Sequence, residues 1–376
     1  MNPSPAPNAP EERAEGAQRR RLDGGREHFH HGPIDLIIAV DADEAVRNEA
    51  LSRAWARFQP LLGELVSDLG MLRQPISTCE TVTPLSQGGP DSTSAIVSPL
   101  PPGEGQGVRE KWGLASREFG NGAFPHPNPS PCGRGASAER CGNRVNGASS
   151  MAIVQSAVAR RMLAAVQPFA PQFVTPMAAV AGAVADEIIA TMRLPGVRRC
   201  YVNNGGDIAL HLTPRTHFSI GICTPEDKSW KAVALDGRVE IDHNSPVRGV
   251  AASGWRGRSF SMGIADSVTV LAINAAMADA AATMIANAVD VDSAQVKRAP
   301  ANHIKDDTDL GDRLVTVEVG DLSQADIARA LDAGVAAAHG MMAAGLIHAA
   351  ALRLQGQSRT VGESLPAESE SQRYKE

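Results

Sequence analysis

The sequence predicts a mixed α+β fold in which mixed or antiparallel sheets pack against helices. Three observations carry this. Segments with the two-residue alternation of strands are interleaved with segments of helical period, so neither class dominates. The stretch "VRRCYVNNGGDIALHL" holds two alternating runs joined by an Asn-Gly turn, hence a hairpin, which a purely parallel sheet would lack. Of the 376 residues, 43% are hydrophobic and only 4% aromatic, so a large core must be built mostly from small aliphatic side chains.

Residues 1–25, opening "MNPSPAPNAPEERAEGAQRRR", are rich in Pro, Ala and charge without periodicity. They read as a disordered arm, and no apolar stretch marks a signal peptide. Residues 26–82 begin the fold: "IDLIIAV" is a strand, and Asp43 is placed to cap the helix after it. In that helix Ala50, Leu51, Ala54 and Phe58 recur at helical spacing. Residues 83–149 change texture, with Gly, Pro, Ser and Arg dominant and no sustained period. Such a segment buries too little apolar surface to offset its ordering entropy, so it reads as a disordered low-complexity insert. "SPLPPGEGQGVRE" and "PHPNPSPCGRGA" within it look like a GC-rich inverted repeat read through in frame.

Residues 150–355 hold the main part of the fold. "MAIVQSAVARRMLAAVQPF" is helical, and "FVTPMAAVAGAVADEIIATM" is a second helix with Thr175 as N-cap and Pro176 in its first turn. The hairpin follows, then strands "HFSIGIC" and "KAVALDG". A Gly- and Ser-rich stretch runs into the strand "SVTVLAI", after which "MADAAATMIANAVD" is helical and "RLVTVEVG" a strand. "LSQADIARALDAGVAAAHGMMAAGLIHAAALRLQG" reads as one helix, opened by Ser323 with Asp326 three residues on. Residues 356–376 form a polar, disordered tail.

A net charge of -6 argues against nucleic acid as a partner, since phosphate backbones need concentrated Lys and Arg. No apolar run reaches the roughly 18 residues that span a bilayer, so no membrane is expected. Five cysteines, Cys79, Cys132, Cys141, Cys200 and Cys223, form neither a zinc frame nor a disulfide framework, and a reducing cytoplasm suits them.

Several residues carry candidate chemistry. Asp279 and Thr283 stand one helical turn apart, two hard oxygen donors that suit Mg²⁺; the same spacing suits a cap and a hydroxyl bonded back to a carbonyl. In "NNGGDI", Asn204, Gly205, Gly206 and Asp207 admit close approach of a ligand, or simply turn a hairpin. Gly182 within a helix costs about 1 kcal/mol against alanine, which points to close helix–sheet packing or to ligand approach, while Asp186 reads as solvated. In "ASGWRGRSF", Ser253, Gly254, Arg256 and Arg258 offer amides and guanidinium groups to a phosphate. His28, His30 and His31 lack a metal frame, and "KDDTDLGDR" is an exposed acidic loop outside the calcium-loop register.

The order of these pieces is more informative than any one of them. "VAGAVADEI", "NNGGDI", "AASG" and "SVTVLAINAAMADAAAT" in succession resemble the ApbE superfamily, the FAD:protein FMN transferases. "HGPIDLII", "SGWRGRSFSMGIADSVTVLA" and "DLGDRLVTVEVG" are similar to the UPF branch of that superfamily. The resemblance covers residues 20–82 and 150–355. It implies that Asp279, the catalytic centre, binds Mg²⁺ with Thr283 and a carbonyl near Val180. Gly182, Asn204, Gly205, Gly206, Asp207, Ser253, Gly254 and Arg256 would then line the FAD pocket. The implied reaction is Mg²⁺-dependent transfer of FMN from FAD to a protein threonine, which makes an acceptor protein a partner alongside the flavin nucleotide. A homo-oligomer also fits. Two other readings stay open: a cytoplasmic enzyme of cofactor or one-carbon metabolism acting on another nucleotide or pterin, and a non-catalytic flavin-binding protein.

Overall fold

The computed structural model describes residues 12–14, 16–76, 154–225 and 233–362. In chain order, β1 (Glu12–Ala14), β2 (Ala17–Arg21), β3 (Glu27–His31) and β4 (Ile34–Asp41) precede α1 (Glu44–Leu72). After the undescribed segment come α2 (Ala157–Val166), α3 (Val180–Thr191), β5 (Arg199–Asn204), β6 (Asp207–Leu212), β7 (His217–Pro225) and β8 (Val233–Asp242). Next are β9 (Gly249–Ser253), β10 (Ser267–Ala272), α4 (Ala275–Ala288), β11 (Val296–Pro300) and α5 (Ala301–Ile304). The last are β12 (Leu314–Val319), α6 (Gln324–Ala343), β13 (Ala349–Leu354) and β14 (Gln357–Val361).

A ten-stranded sheet runs in the order β1-β2-β3-β4-β5-β6-β9-β10-β13-β14, every neighbouring pair antiparallel. Two hairpins, β7–β8 and β11–β12, stand apart as two-stranded sheets. The fold is therefore α+β with antiparallel sheets, as the hairpin and interleaved periods predict.

Alternation decides which face of the sheet meets the helices. In β4, Ile34, Leu36, Ile38 and Val40 are buried, while the residues between them are partly exposed. That row packs with Ala50, Leu51, Ala54, Trp55 and Phe58 of α1 in the main core. Phe29 of β3 lies 5.1 Å from the Trp55 ring and 5.4 Å from Phe58, the edge-on or tilted contacts that aromatic quadrupoles prefer. On the opposite face, the β7–β8 hairpin lays Phe218, Ile220, Val239 and Ile241 against Leu210, Leu212, Val250 and Leu271. β10 is buried on both faces, Ser267 and Thr269 included, so its burial does not alternate.

The structure differs from the sequence reading at several places. Ala17–Arg21, assigned to the disordered arm, form β2, with Ala17 wholly buried against the core. Gln357–Val361, assigned to the tail, form β14. The last helix ends at Ala343, and Gly345 (φ 71°) turns the chain so that Ala349–Leu354 become β13, paired with β10. Alanine-rich composition conceals that change of period. Asp43 and Thr175 occupy the expected cap positions without capping, since Asp43 pairs with Arg198 (3.2 Å) and the Thr175 hydroxyl donates to Asp309. Pro176–Ala179 form a 3₁₀ turn ahead of α3. Ser323 does cap α6, accepting from the Asp326 amide at 3.1 Å.

The described residues belong to one compact unit. The insert reading of 83–149 lies outside the described residues, as do 1–11 of the arm and 363–376 of the tail. The described residues on either side of that segment meet beside one helix end: the Ser156 amide donates to Asp68 of α1 (3.2 Å), and the Ile76 amide to the Val174 carbonyl (3.1 Å). Among the described residues no helix is long and apolar enough to cross a membrane.

Candidate functional site

The N-termini of α3 and α4 cross closely, and each helix supplies the carboxylate that caps the other. Asp279 of α4 accepts the Gly182 amide at 3.0 Å and also the Ala181 amide, both in the first turn of α3. Asp186 of α3 accepts the Ala275 and Ala276 amides at 3.1 and 2.8 Å, in the first turn of α4. A helix leaves four such donors without intrahelical partners, and a negative charge there is also favoured by the helix dipole. Asp186 is thus buried, where the sequence reading had it solvated. A Cβ on Gly182 would sit 2.2 Å from the Ala275 carbonyl oxygen. The glycine serves close packing, against a helix terminus rather than the expected sheet.

The β5–β6 hairpin adds its turn to this crossing. Asn204 is buried and its Nδ2 donates to the Ala181 carbonyl at 3.1 Å. Gly205 (φ 66°) and Gly206 (φ 114°) occupy backbone conformations that other residues rarely adopt, and the Gly206 amide donates to the Asn203 Oδ1 at 2.8 Å. Asp207 follows, 9% exposed, its Oδ1 accepting the Ala252 amide at 3.3 Å. Burial pushes the Asp207 carboxyl up to about 7, against the pull of the Ala252 amide and the Arg258 charge. The Asp279 carboxyl is pushed well above its usual range, first by burial and then by the charge of Asp207. Two carboxyl groups therefore share one enclosure and oppose each other's ionisation.

The segment after β9 divides its two arginines between different tasks. Asp266 accepts the Arg256 Nε at 3.0 Å, the Trp255 Nε1 at 3.2 Å and the Gln355 amide at 2.6 Å. The Arg256 guanidinium also lies over the Trp255 ring, 4.9 Å from its centre. A Cβ on Gly254 would meet the Asp266 carbonyl oxygen at 2.4 Å, so this glycine too is required by backbone packing. Arg258 goes the other way: a Cβ on Gly205 would lie 2.3 Å from its Nη2, so the guanidinium rests on the glycine turn.

The structure thus brings Gly182, Asn204, Gly205, Gly206, Asp207 and Asp279 together. Val180 is the first residue of α3, and half-buried Thr283 follows Asp279 by one turn of α4. Ser253 ends β9, paired with Val268 and one residue beyond the amide that Asp207 accepts. Arg256 is turned to Asp266, away from the role expected of it. Sequence reasoning missed Asp186 and Asp266; the four-residue spacing of Gly182 and Asp186 was the available signal for the first. Among the described residues, no group of three or more His, Cys, Asp or Glu side chains is arranged to hold a metal ion. His28 is instead bonded to Asp35 at 2.8 Å.

A family model described as "AbpE bacteria" matches residues 19–91 and 144–360, both sides of the undescribed segment. The chain belongs to that family. Its similarity extends to archaeal relatives that bear only the name UPF0280 protein. The one from Methanopyrus kandleri is 40% identical over 144 residues, 38% of this chain and 54% of the relative. Those from Methanothrix thermoacetophila (40% over 121 residues, 32% of this chain and 48% of the relative) and Methanocaldococcus jannaschii (38% over 116, 31% and 45%) are similar. The chain spans about half the length of the curated relatives it matches. For this AbpE bacteria family member, the paired carboxylates, glycine turn and helix N-termini are the features from which function must be argued.

Proposed function

We propose that this protein binds a flavin nucleotide with Mg²⁺ where α3, α4 and the β5–β6 turn meet, and transfers FMN from FAD to a protein threonine. The observation that carries the reading is the meeting of Asp207 and Asp279 beside a glycine turn bearing Arg258. Two enclosed carboxylates that oppose each other's charge suit a hard divalent cation. Asp279, the Thr283 hydroxyl and the Val180 carbonyl would hold it, and Asp207 faces the same charge. The metal, when bound, neutralises charge on the diphosphate. The protein's own contribution is placement. Gly205 and Gly206 let the backbone approach a phosphate, and the amides at the α3 terminus fix the orientation of Asp279. In the transfer, the acceptor hydroxyl oxygen bonds to the FMN phosphorus, the bond from that phosphorus to AMP breaks, and the hydroxyl proton leaves to solvent.

Purified protein given FAD, Mg²⁺ and a threonine-bearing acceptor should release AMP, and Asp279→Asn should abolish release while keeping an acceptor for the Gly182 amide. Wild-type protein that neither binds FAD nor releases AMP would sink the reading. One observation favours a second: among the described residues no three His, Cys, Asp or Glu side chains are arranged to hold a metal ion. FAD binding without AMP release would make the protein a flavin binder; preference for a pterin or another nucleotide in a thermal-shift screen would make it an enzyme on a different substrate.

A further inference from the structure

We propose that Arg258 is the guanidinium that meets the substrate's diphosphate, and that Arg256, held by Asp266, fixes the loop from which Arg258 reaches. This rests on the nucleotide reading above and narrows it to ligands bearing a diphosphate. By sequence the two arginines are equivalent, two residues apart in one Gly- and Ser-rich loop. Their surroundings differ. The Arg256 Nε is spent on Asp266, itself largely buried and shared with Trp255 and the Gln355 amide, and its flat face is spent on the Trp255 ring. A guanidinium committed in these ways is a brace. Arg258 is exposed and rests on Gly205, the residue whose missing side chain leaves the room it occupies. Beyond Gly205 lies Gly206, around which a Cβ would meet nothing within 4 Å. The loop thus delivers one cation to an open, side-chain-free turn beside two carboxylates. A phosphate group placed there accepts from a planar, bidentate donor, the arrangement for which arginine is better suited than lysine.

The test is equilibrium binding of three probes, FAD, riboflavin and inorganic pyrophosphate, in the presence of Mg²⁺, to the full chain. Arg258→Ala should weaken FAD and pyrophosphate by at least about tenfold and leave riboflavin, which has no phosphate, nearly unchanged. Arg258→Lys should recover only part of the loss. Arg256→Ala should weaken pyrophosphate by less than Arg258→Ala does, because its guanidinium does not face the ligand and acts only through the loop it braces. If pyrophosphate binds and depends on Arg258 while FAD does not bind, the flavin reading fails and the role of Arg258 stands. If FAD binds but Arg258→Ala matches wild type, the flavin reading stands and the role of Arg258 is overturned. Pyrophosphate binding that depends on Arg256 alone, or none at all, also overturns it. An unchanged melting temperature in Arg258→Ala, expected for an exposed side chain, separates lost contact from lost fold.

Discussion

Asp279 shows how the capping reading of its spacing is met in an unexpected form. It caps a helix, although not its own, and it lies beside a second carboxylate. Gly182 is the residue that lets this happen, because any side chain there drives into the Ala275 carbonyl. Gly182→Ala gains about 1 kcal/mol of helix propensity and loses about 3 kcal/mol through overpacking against backbone that has nowhere to move. The expected net loss is about 2 kcal/mol, read as a fall in melting temperature of about 4–8 °C. A melting temperature at or above wild type would mean that the crossing relaxes. At this scale the sequence was partly legible. The glycine turn, Asp207 and Asp279 stood out, because few residue types serve at such points. Asp186 and Asp266 did not, because their partners are backbone amides and side chains of elements distant in the chain, which no local spacing reports.

Elements are joined by fewer and stronger links. Glu187 of α3 accepts from Arg57 of α1 at 2.8 Å and Arg161 of α2 at 2.9 Å, tying three helices through one carboxylate. Arg57 also grips Glu64 with two nitrogens, at 2.9 and 2.7 Å. Burial alone would push the Glu187 carboxyl up, but the hydrogen bonds and charges of Arg57 and Arg161 outweigh it and hold it below the usual range. The folded-state value is therefore depressed, so the stabilisation is present above the unfolded value of 4.5 and is lost as pH falls through the folded one. Glu187→Gln should melt below wild type at neutral pH, and the gap should close as the pH falls below 4.5 and through the lower folded value. A gap independent of pH would assign the effect to packing. Strands were easier to read than helix ends. Alternation survives in β4 and β5, while the 3₁₀ turn at Pro176–Ala179 and the α6–β13 junction depend on tertiary bonds and on one glycine.

For the whole molecule, the described residues on either side of the undescribed segment meet at one place. Asp68 holds the Ser156 amide, and Val174 holds the Ile76 amide, both beside one end of α1. The core of the described unit is drawn from both sides of that gap, with Phe58, Leu61 and Leu65 beside Val158, Met162 and Ile188. A chain in which residues 83–149 are replaced by a short Gly-Ser linker should fold, with a melting temperature within a few degrees of the full chain, because loop-closure entropy changes slowly with length. A collapse of the far-ultraviolet dichroism would assign those residues to the core. The loss of apolar period after residue 82 is visible without knowing any partner, and the residues on which that reading falls lie outside the described ones. Composition could not reveal β2, whose arginine-rich letters resemble those of a solvated arm until a neighbouring strand supplies the other half of each hydrogen bond.

The crossed caps of α3 and α4 make those two helices a single cooperative block. Neither first turn can fray alone: opening α3 strands the Asp279 carboxylate, and opening α4 strands that of Asp186. The amides of Gly182 and Ala276, 94 positions apart in the chain, should then exchange with solvent deuterium at the same opening free energy. A ligand that engages Asp279 would slow both together, so occupancy of the site would be recorded in the stiffness of both helices at once.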